Sequence, residues 1–186
     1  MTVGILGLQG DFREHHRVFR QLGVQTRDVR TVEGIDGVDA LVLPGGESTT
    51  MARLMALYGI DEAIQERNRD GLPLFGTCAG LILMARQVTG GEPTGLGLID
   101  VVVDRNAYGR QVDSFEADLD VRGIGSLHAV FIRAPKIAEC GPNVEVLAEH
   151  DGVPVVAREN NVLVSSFHPE LIGETRIHEH FLSFVR

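Results

Sequence analysis

Positive charge is scarce in this chain. Against 26 Asp and Glu stand 17 Lys and Arg, giving a formal net charge of −9, and the basic residues are scattered, with arginine far outnumbering lysine. Nucleic acid and anionic membranes are poor partners for such a surface. Cysteine is nearly absent too: Cys78 and Cys140 supply neither a disulfide framework nor a Cys-x-x-Cys signature. No apolar run approaches the length of a membrane span, and the opening Met1-Thr2-Val3-Gly4 has no basic segment before its apolar stretch. A cytoplasmic protein with reduced thiols is expected. Repeats, low-complexity tracts and linkers are also missing. With 186 residues and 44% hydrophobic content, the expectation is one domain, 1–186, that buries a full core.

What is present begins with a short apolar strand over residues 3–8, followed by a Gln9-Gly10-Asp11 loop in which Asp11 can cap a helix. Phe12, His15, Phe19 and Leu22 recur at helical spacing before Gly23. Strands over 24–29 and 38–43 follow, the second stopped by Pro44-Gly45-Gly46. This rhythm predicts an α/β fold: a three-layer, doubly wound, mostly parallel sheet of flavodoxin-like type. Later runs at 98–103, 115–121, 127–132, 144–150, 153–157 and 162–166 predict an antiparallel extension, and Ile177, Phe181, Leu182 and Val185 predict a last helix. Ligands of doubly wound sheets bind beyond the carboxyl ends of the strands.

The central stretch is Gly76-Thr77-Cys78-Ala79-Gly80, entered and left by apolar runs. Strand, sharp turn and helix in that order make a nucleophile elbow, with its tip at the positive end of a helix dipole. Glycines on both flanks suit a strained turn pressed against neighbouring chain. A buried cysteine packed as a small hydrophobe is the competing reading. In Pro44-Gly45-Gly46-Glu47-Ser48-Thr49-Thr50, the glycine pair exposes backbone N–H groups, and Ser48 can cap a helix whose core face is Met51, Leu54, Met55 and Tyr58. A phosphate loop is excluded, since no Gly-Lys-Ser/Thr follows.

A base for the thiol stands at Ser165-Ser166-Phe167-His168-Pro169-Glu170. Pro169 biases His168 toward extended backbone, where residues two apart point the same way. Glu170 can then fix the ring of His168 and leave its other nitrogen to work on Cys78.

Together these stretches resemble the class I (triad) glutamine amidotransferases. Gln9-Gly10-Asp11, Gly45-Gly46-Glu47-Ser48-Thr49 and His168-Pro169-Glu170 narrow the resemblance to the family of glutaminase subunits of pyridoxal 5′-phosphate synthase, over essentially the whole chain. The resemblance implies a glutaminase with Cys78 as nucleophile, His168 as acid and base, and Glu170 as its orienting carboxylate. It implies an oxyanion hole from the backbone of Gly46 and Ala79. Glutamine would be held by Gly46, Glu47, Ser48, Arg105, Ile132 and Arg133. It further implies a TIM-barrel synthase subunit as partner in a large hetero-oligomer, with Gln9, Gly10 and Asp11 near the docking face and ammonia exit. No cofactor is expected.

Metal binding finds little support. In His15-His16 and His178-Glu179-His180 the neighbouring histidines do not share a helix face, and His128 and His150 read as strand residues. Cys140, before Gly141-Pro142, reads as a loop or packing cysteine. A cysteine peptidase-like α/β protein, a silent binding module and the glutaminase of imidazole glycerol phosphate synthase are the alternatives.

Overall fold

The computed structural model describes residues 1–105 and 114–185. The chain runs β1 (Thr2–Leu6), α1 (Phe12–Gln21), β2 (Gln25–Val29), α2 (Val32–Asp36), β3 (Ala40–Leu43), α3 (Ser48–Tyr58), α4 (Ile60–Arg69), β4 (Leu74–Thr77) and α5 (Ala79–Met84). It continues with β5 (Ala85–Thr89), β6 (Ile99–Asp104), β7 (Ser114–Val121), β8 (Gly125–Ile132), β9 (Lys136–Cys140) and β10 (Glu145–His150). The last elements are β11 (Val153–Glu159), β12 (Val162–Ser165), a 3-10 turn (Pro169–Leu171) and α6 (Arg176–Leu182).

Among the described residues, the main sheet has seven strands in the order β10-β11-β12-β4-β3-β1-β2. Every pairing from β12 to β2 is parallel, while β10 and β11 join antiparallel. The parallel part, β2-β1-β3-β4-β12, has the flavodoxin-like order, with its switch point between β1 and β3. Central strands are buried on both faces, so their residues alternate between two cores. Ala40 and Val42 of β3 pack with Phe19, Phe75 and Phe181, whereas Leu41 and Leu43 pack with Met51, Ile64 and Leu81. That alternation makes three layers.

The antiparallel extension expected from residue 98 onward holds only for β10 and β11. β12 instead inserts parallel beside β4, with Ser165 opposite Thr77. β6 joins β5 and β9 in a separate three-stranded sheet, and β7 pairs with β8 as a ribbon of its own. β5 was hidden in the sequence because its residues, Ala85-Arg86-Gln87-Val88-Thr89, follow the elbow helix without a breaker. α4 shows little apolar pattern, burying only Ile60 and Ile64. On α3, Met51 and Met55 are buried as expected, but Leu54 is half-buried and Tyr58 is exposed.

Candidate active site

β4 delivers Thr77 and α5 starts at Ala79, so the chain reverses within one residue, Cys78, at φ 46° and ψ −97°. Such backbone costs a non-glycine residue about 1–3 kcal/mol and persists only where the surroundings over-determine it. They do so here. A side chain on Gly80 would fall on the Leu43 carbonyl, and one on Gly76 would strike Met84 Sδ and the Gly80 carbonyl. The Cys78 amide also donates to the Ser165 carbonyl at 2.9 Å. This ties the elbow to the end of β12, the strand that leads to His168.

The His168 amide donates to the Val130 carbonyl at 3.1 Å, which pins that loop against β8. Its ring sits beside Cys78, with Nδ1 2.8 Å from Glu170 Oε1. The route to this pairing differs from the alternation expected of an extended segment. His168 is extended (φ −113°, ψ 81°), but Pro169 opens a 3-10 turn, and that turn carries Glu170 under the ring. Both side chains are buried. Burial opposes the His168 charge, yet hydrogen bonds and Coulomb attraction from Cys78 and Glu170 outweigh it and push the imidazole up to about 10. Burial pushes the Glu170 carboxyl up, with His168 pulling the other way. A charged imidazolium held between a sulfur and a carboxylate is the resting arrangement these pulls favour.

Asp11 stands at the N-cap of α1 but makes no capping bond; its Oδ2 lies 3.5 Å from His168 Nδ1 instead. Partial burial raises its carboxyl, His168 lowers it and Glu14 raises it. Asp11, His168 and Glu170 bring ligand-capable atoms within 4.8 Å of one another, but His168 Nδ1 is already spent on Glu170. Ser48 is likewise not the cap expected of it. Glu47 caps α3, accepting from the amides of Thr49 and Thr50, while Ser48 is buried in the first turn. Burial opposes the Glu47 charge, but the Thr50 amide and hydroxyl, the Thr49 amide and Arg105 hold its carboxyl below the ordinary range. Gln9 Oε1 accepts from the Glu47 amide at 2.7 Å, and the Asp11 amide donates to the Gly45 carbonyl at 3.0 Å. The loops after β1 and β3 are thereby stitched together at the switch point. Gly10, at φ 96°, touches Gly45 so closely that a side chain there would overlap its carbonyl.

These loops enclose a cleft of about 470 Å³. Every residue expected in the site lines it except Glu170, which lies behind His168: Gln9, Gly10 and Asp11 on one wall, Gly46, Glu47 and Ser48 beside them, Cys78 and Ala79 at the floor. Ile132, Arg133, Arg105 and His168 complete the ring. Arg133 also has positive φ, 46°. Arg105 is engaged already, donating to Glu47 Oε1 at 2.9 Å, to Thr49 Oγ1 at 2.8 Å and to the Glu92 carbonyl. To take up a ligand carboxylate it would have to share its guanidinium with Glu47. Ile82 and Leu171 line the cleft too and were not anticipated. A larger cleft, about 910 Å³, lies at the amino ends of β3, β4 and β12 and is lined by neither Cys78 nor His168. Volume therefore does not mark the site; the Cys78–His168–Glu170 arrangement does.

Sequence reading also missed two histidines behind His168 and Glu170. His15 and His16 do face apart, His16 turning outward to Thr26 and Asp28. But His15 of α1 meets His178 of α6 in the core, Nδ1 to Nε2 at 2.9 Å. Their partnership spans 163 positions, and burial of apolar neighbours at i+4 and i+3 (Phe19, Phe181) was its only trace.

Known proteins share this architecture. The chain matches the SNO glutamine amidotransferase family over residues 5–186. It is 52% identical over 187 residues to a protein of Thermosipho africanus named pyridoxal 5′-phosphate synthase subunit PdxT, covering all of both chains. A protein of the same name from Thermus thermophilus is 52% identical, covering 99% of this chain and 97% of its own. A crystal structure described as a glutamine amidotransferase superimposes with a TM-score of 0.94 at 50% identity, covering 98% of each chain. A structure of PurLQS from Thermotoga maritima shares the fold at a TM-score of 0.77 and 15% identity, over 100% of this chain and 98% of that one. Carrying the elbow, the buried His-Glu pair and a full-length match, the chain belongs to the SNO glutamine amidotransferase family.

Proposed function

We propose that the chain, a single domain over 1–186, hydrolyses L-glutamine to L-glutamate and ammonia as the glutaminase subunit of pyridoxal 5′-phosphate synthase. The observation that carries the chemistry is the line Cys78–His168–Glu170, held at the foot of a cleft by a one-residue elbow. Cys78 thiolate attacks the carboxamide carbon, and the backbone N–H groups of Gly46 and Ala79 receive the oxyanion, a term of about 3 kcal/mol per donor. His168, charged at rest, gives its proton to the departing ammonia, which leaves a glutamyl thioester. The neutral ring then takes a proton from the water that hydrolyses it. Glu170 keeps the imidazolium oriented throughout. Glu47, Ser48, Arg105, Ile132 and Arg133 hold the amino-acid end of the substrate.

Ammonia set free at neutral pH is mostly protonated and no longer nucleophilic, so the product passes directly to a synthase. The partner is a TIM-barrel subunit in a cytoplasmic hetero-oligomer, docked on the side of Gln9, Gly10 and Asp11. The relatives' name supports this partner over imidazole glycerol phosphate synthase, and the intact Cys-His-Glu line supports an enzyme over a silent module. Glutamate release from L-glutamine is the test, measured with and without the barrel subunit and beside a Cys78→Ala control. Strong stimulation that the control abolishes is expected. No release under either condition overturns the reading, and stimulation by an imidazole glycerol phosphate synthase barrel overturns the choice of partner.

A further inference from the structure

Glu170 uses one oxygen on His168. Its other oxygen, Oε2, is buried and has no hydrogen-bond partner among the described residues. The polar group facing it is the ring of His15, whose Nε2 lies 3.7 Å away and 3.2 Å from Thr77 Oγ1. His15 is itself held from behind by His178, Nδ1 to Nε2 at 2.9 Å, with the rings of Phe75 and Phe19 packed around the pair. His15 sits in α1, Thr77 in β4 and His178 in α6, so three elements meet at the His15 ring behind the carboxylate.

The geometry points to His15 as a positioning residue: in the tautomer whose Nδ1 accepts from His178, its Nε2–H faces Glu170 Oε2 from behind while Glu170 Oε1 holds His168. This rests on the glutaminase reading, since it describes how the orienting carboxylate is itself oriented. A buried carboxylate oxygen without a donor is costly, and an N–H dipole aimed at it from 3.7 Å favours its ionised form. His15 can serve as a neutral donor because burial and the neighbouring rings of His178, His168 and His16 hold it well below its ordinary value. Burial likewise takes His178 to about 4, despite the pull of Glu174 toward the charged form. In the tautomer that aims Nε2–H at Thr77 and Glu170, His15 Nδ1 accepts from His178 Nε2–H. The charged or titratable groups facing the Glu170–His168 pair are Asp11, Cys78 and His15, with His178 one step beyond.

The consequence is a pH effect of definite sign. Glu170 must be ionised to orient the imidazolium, so activity falls when it is protonated. Removing a donor raises a carboxyl's pKa. His15→Leu should therefore move the acid limb of kcat/KM upward by about one pH unit, with kcat reduced about tenfold or more and KM for glutamine nearly unchanged. His15→Gln, which presents an amide N–H near the position of Nε2, should return the limb to its wild-type place. The experiment uses the complex with the barrel subunit for turnover, and iodoacetamide alkylation of Cys78 across pH on the same proteins. Alkylation needs no glutamine, so an alkylation limb that shifts as stated in a protein releasing no glutamate would keep the positioning role and discard the glutaminase. Superimposable pH limbs in a folded His15→Leu, or a loss of kcat that Gln does not restore, would overturn the role and leave His15 as packing. Should His15→Leu not fold, ¹⁵N NMR of the wild-type imidazoles decides. A neutral His15 protonated at Nε2 supports the role, and one protonated at Nδ1 ends it.

Discussion

The two ends of one sheet are furnished very differently. At the carboxyl ends of β1, β3, β4 and β12, a cleft of about 470 Å³ holds a strained cysteine, a buried His-Glu pair and two stitched glycine loops. At the amino ends of β3, β4 and β12, a cleft about twice as large, 910 Å³, is lined by Arg67, Arg69, Arg158, Asn160, Asn161 and neighbours. Arg69 donates there to the Gln65 carbonyl, and Arg158 to the Asn160 carbonyl, with its guanidinium over Phe184, while Arg67 Nε is buried without a hydrogen-bond partner among the described residues, 3.9 Å from Asp36 Oδ1. In a parallel sheet every strand leaves at the same end, so the loops that follow the strands converge there and can combine residues from distant sequence. Convergence makes the site, and empty volume does not.

The sharpest break in that comparison is Cys78→Ser, expected to remove glutamate release by about a thousandfold or more while leaving the thermal midpoint nearly unchanged, as an activity assay beside a melting curve will show. Glu170→Gln should follow, with kcat down about 10²- to 10⁴-fold, because the amide can orient His168 but cannot stabilise its charge. The same end should be acid-labile. His178 is held to about 4 against an ordinary 6.5, so between those values the unfolded chain binds a proton that the folded one refuses. Stability from this group should thus rise with pH across that window, by on the order of 3 kcal/mol in full, read from urea unfolding at pH 4.5 and 6.5. Gly80→Ala should cost about 1–3 kcal/mol and lower activity as well, since the new Cβ must push the elbow helix away from the Leu43 carbonyl it abuts. At the amino end, Arg158→Ala should leave kcat/KM within about twofold, the small effect usual for a substitution away from the chemistry. A large loss there would give the bigger cleft a role after all.

Much of the site was legible because each part carries a local signature. An elbow needs small residues around its nucleophile, so Gly76 and Gly80 announced Cys78, and a proline after a histidine flagged His168 and Glu170. Where the reading failed, a tertiary competitor had won. Ser48 and Asp11 looked like caps, but Glu47 reached back to cap α3, and Asp11 turned its carboxylate to His168. β5 and β9 went unseen because a sheet of their own, not periodicity, decides their conformation.

The sequence by itself determined which residues could do the chemistry, where the chain must turn sharply, and that the central strands are buried on both faces. Those properties follow from local sterics and hydrophobic pattern. Tertiary structure decided that β12 inserts parallel beside β4, which brings His168 to Cys78 across 90 positions, and that His15 and His178 meet behind Glu170. Side chains so far apart in the chain leave no joint trace in it, because only the packing of α1, α6 and the sheet sets the distance between them.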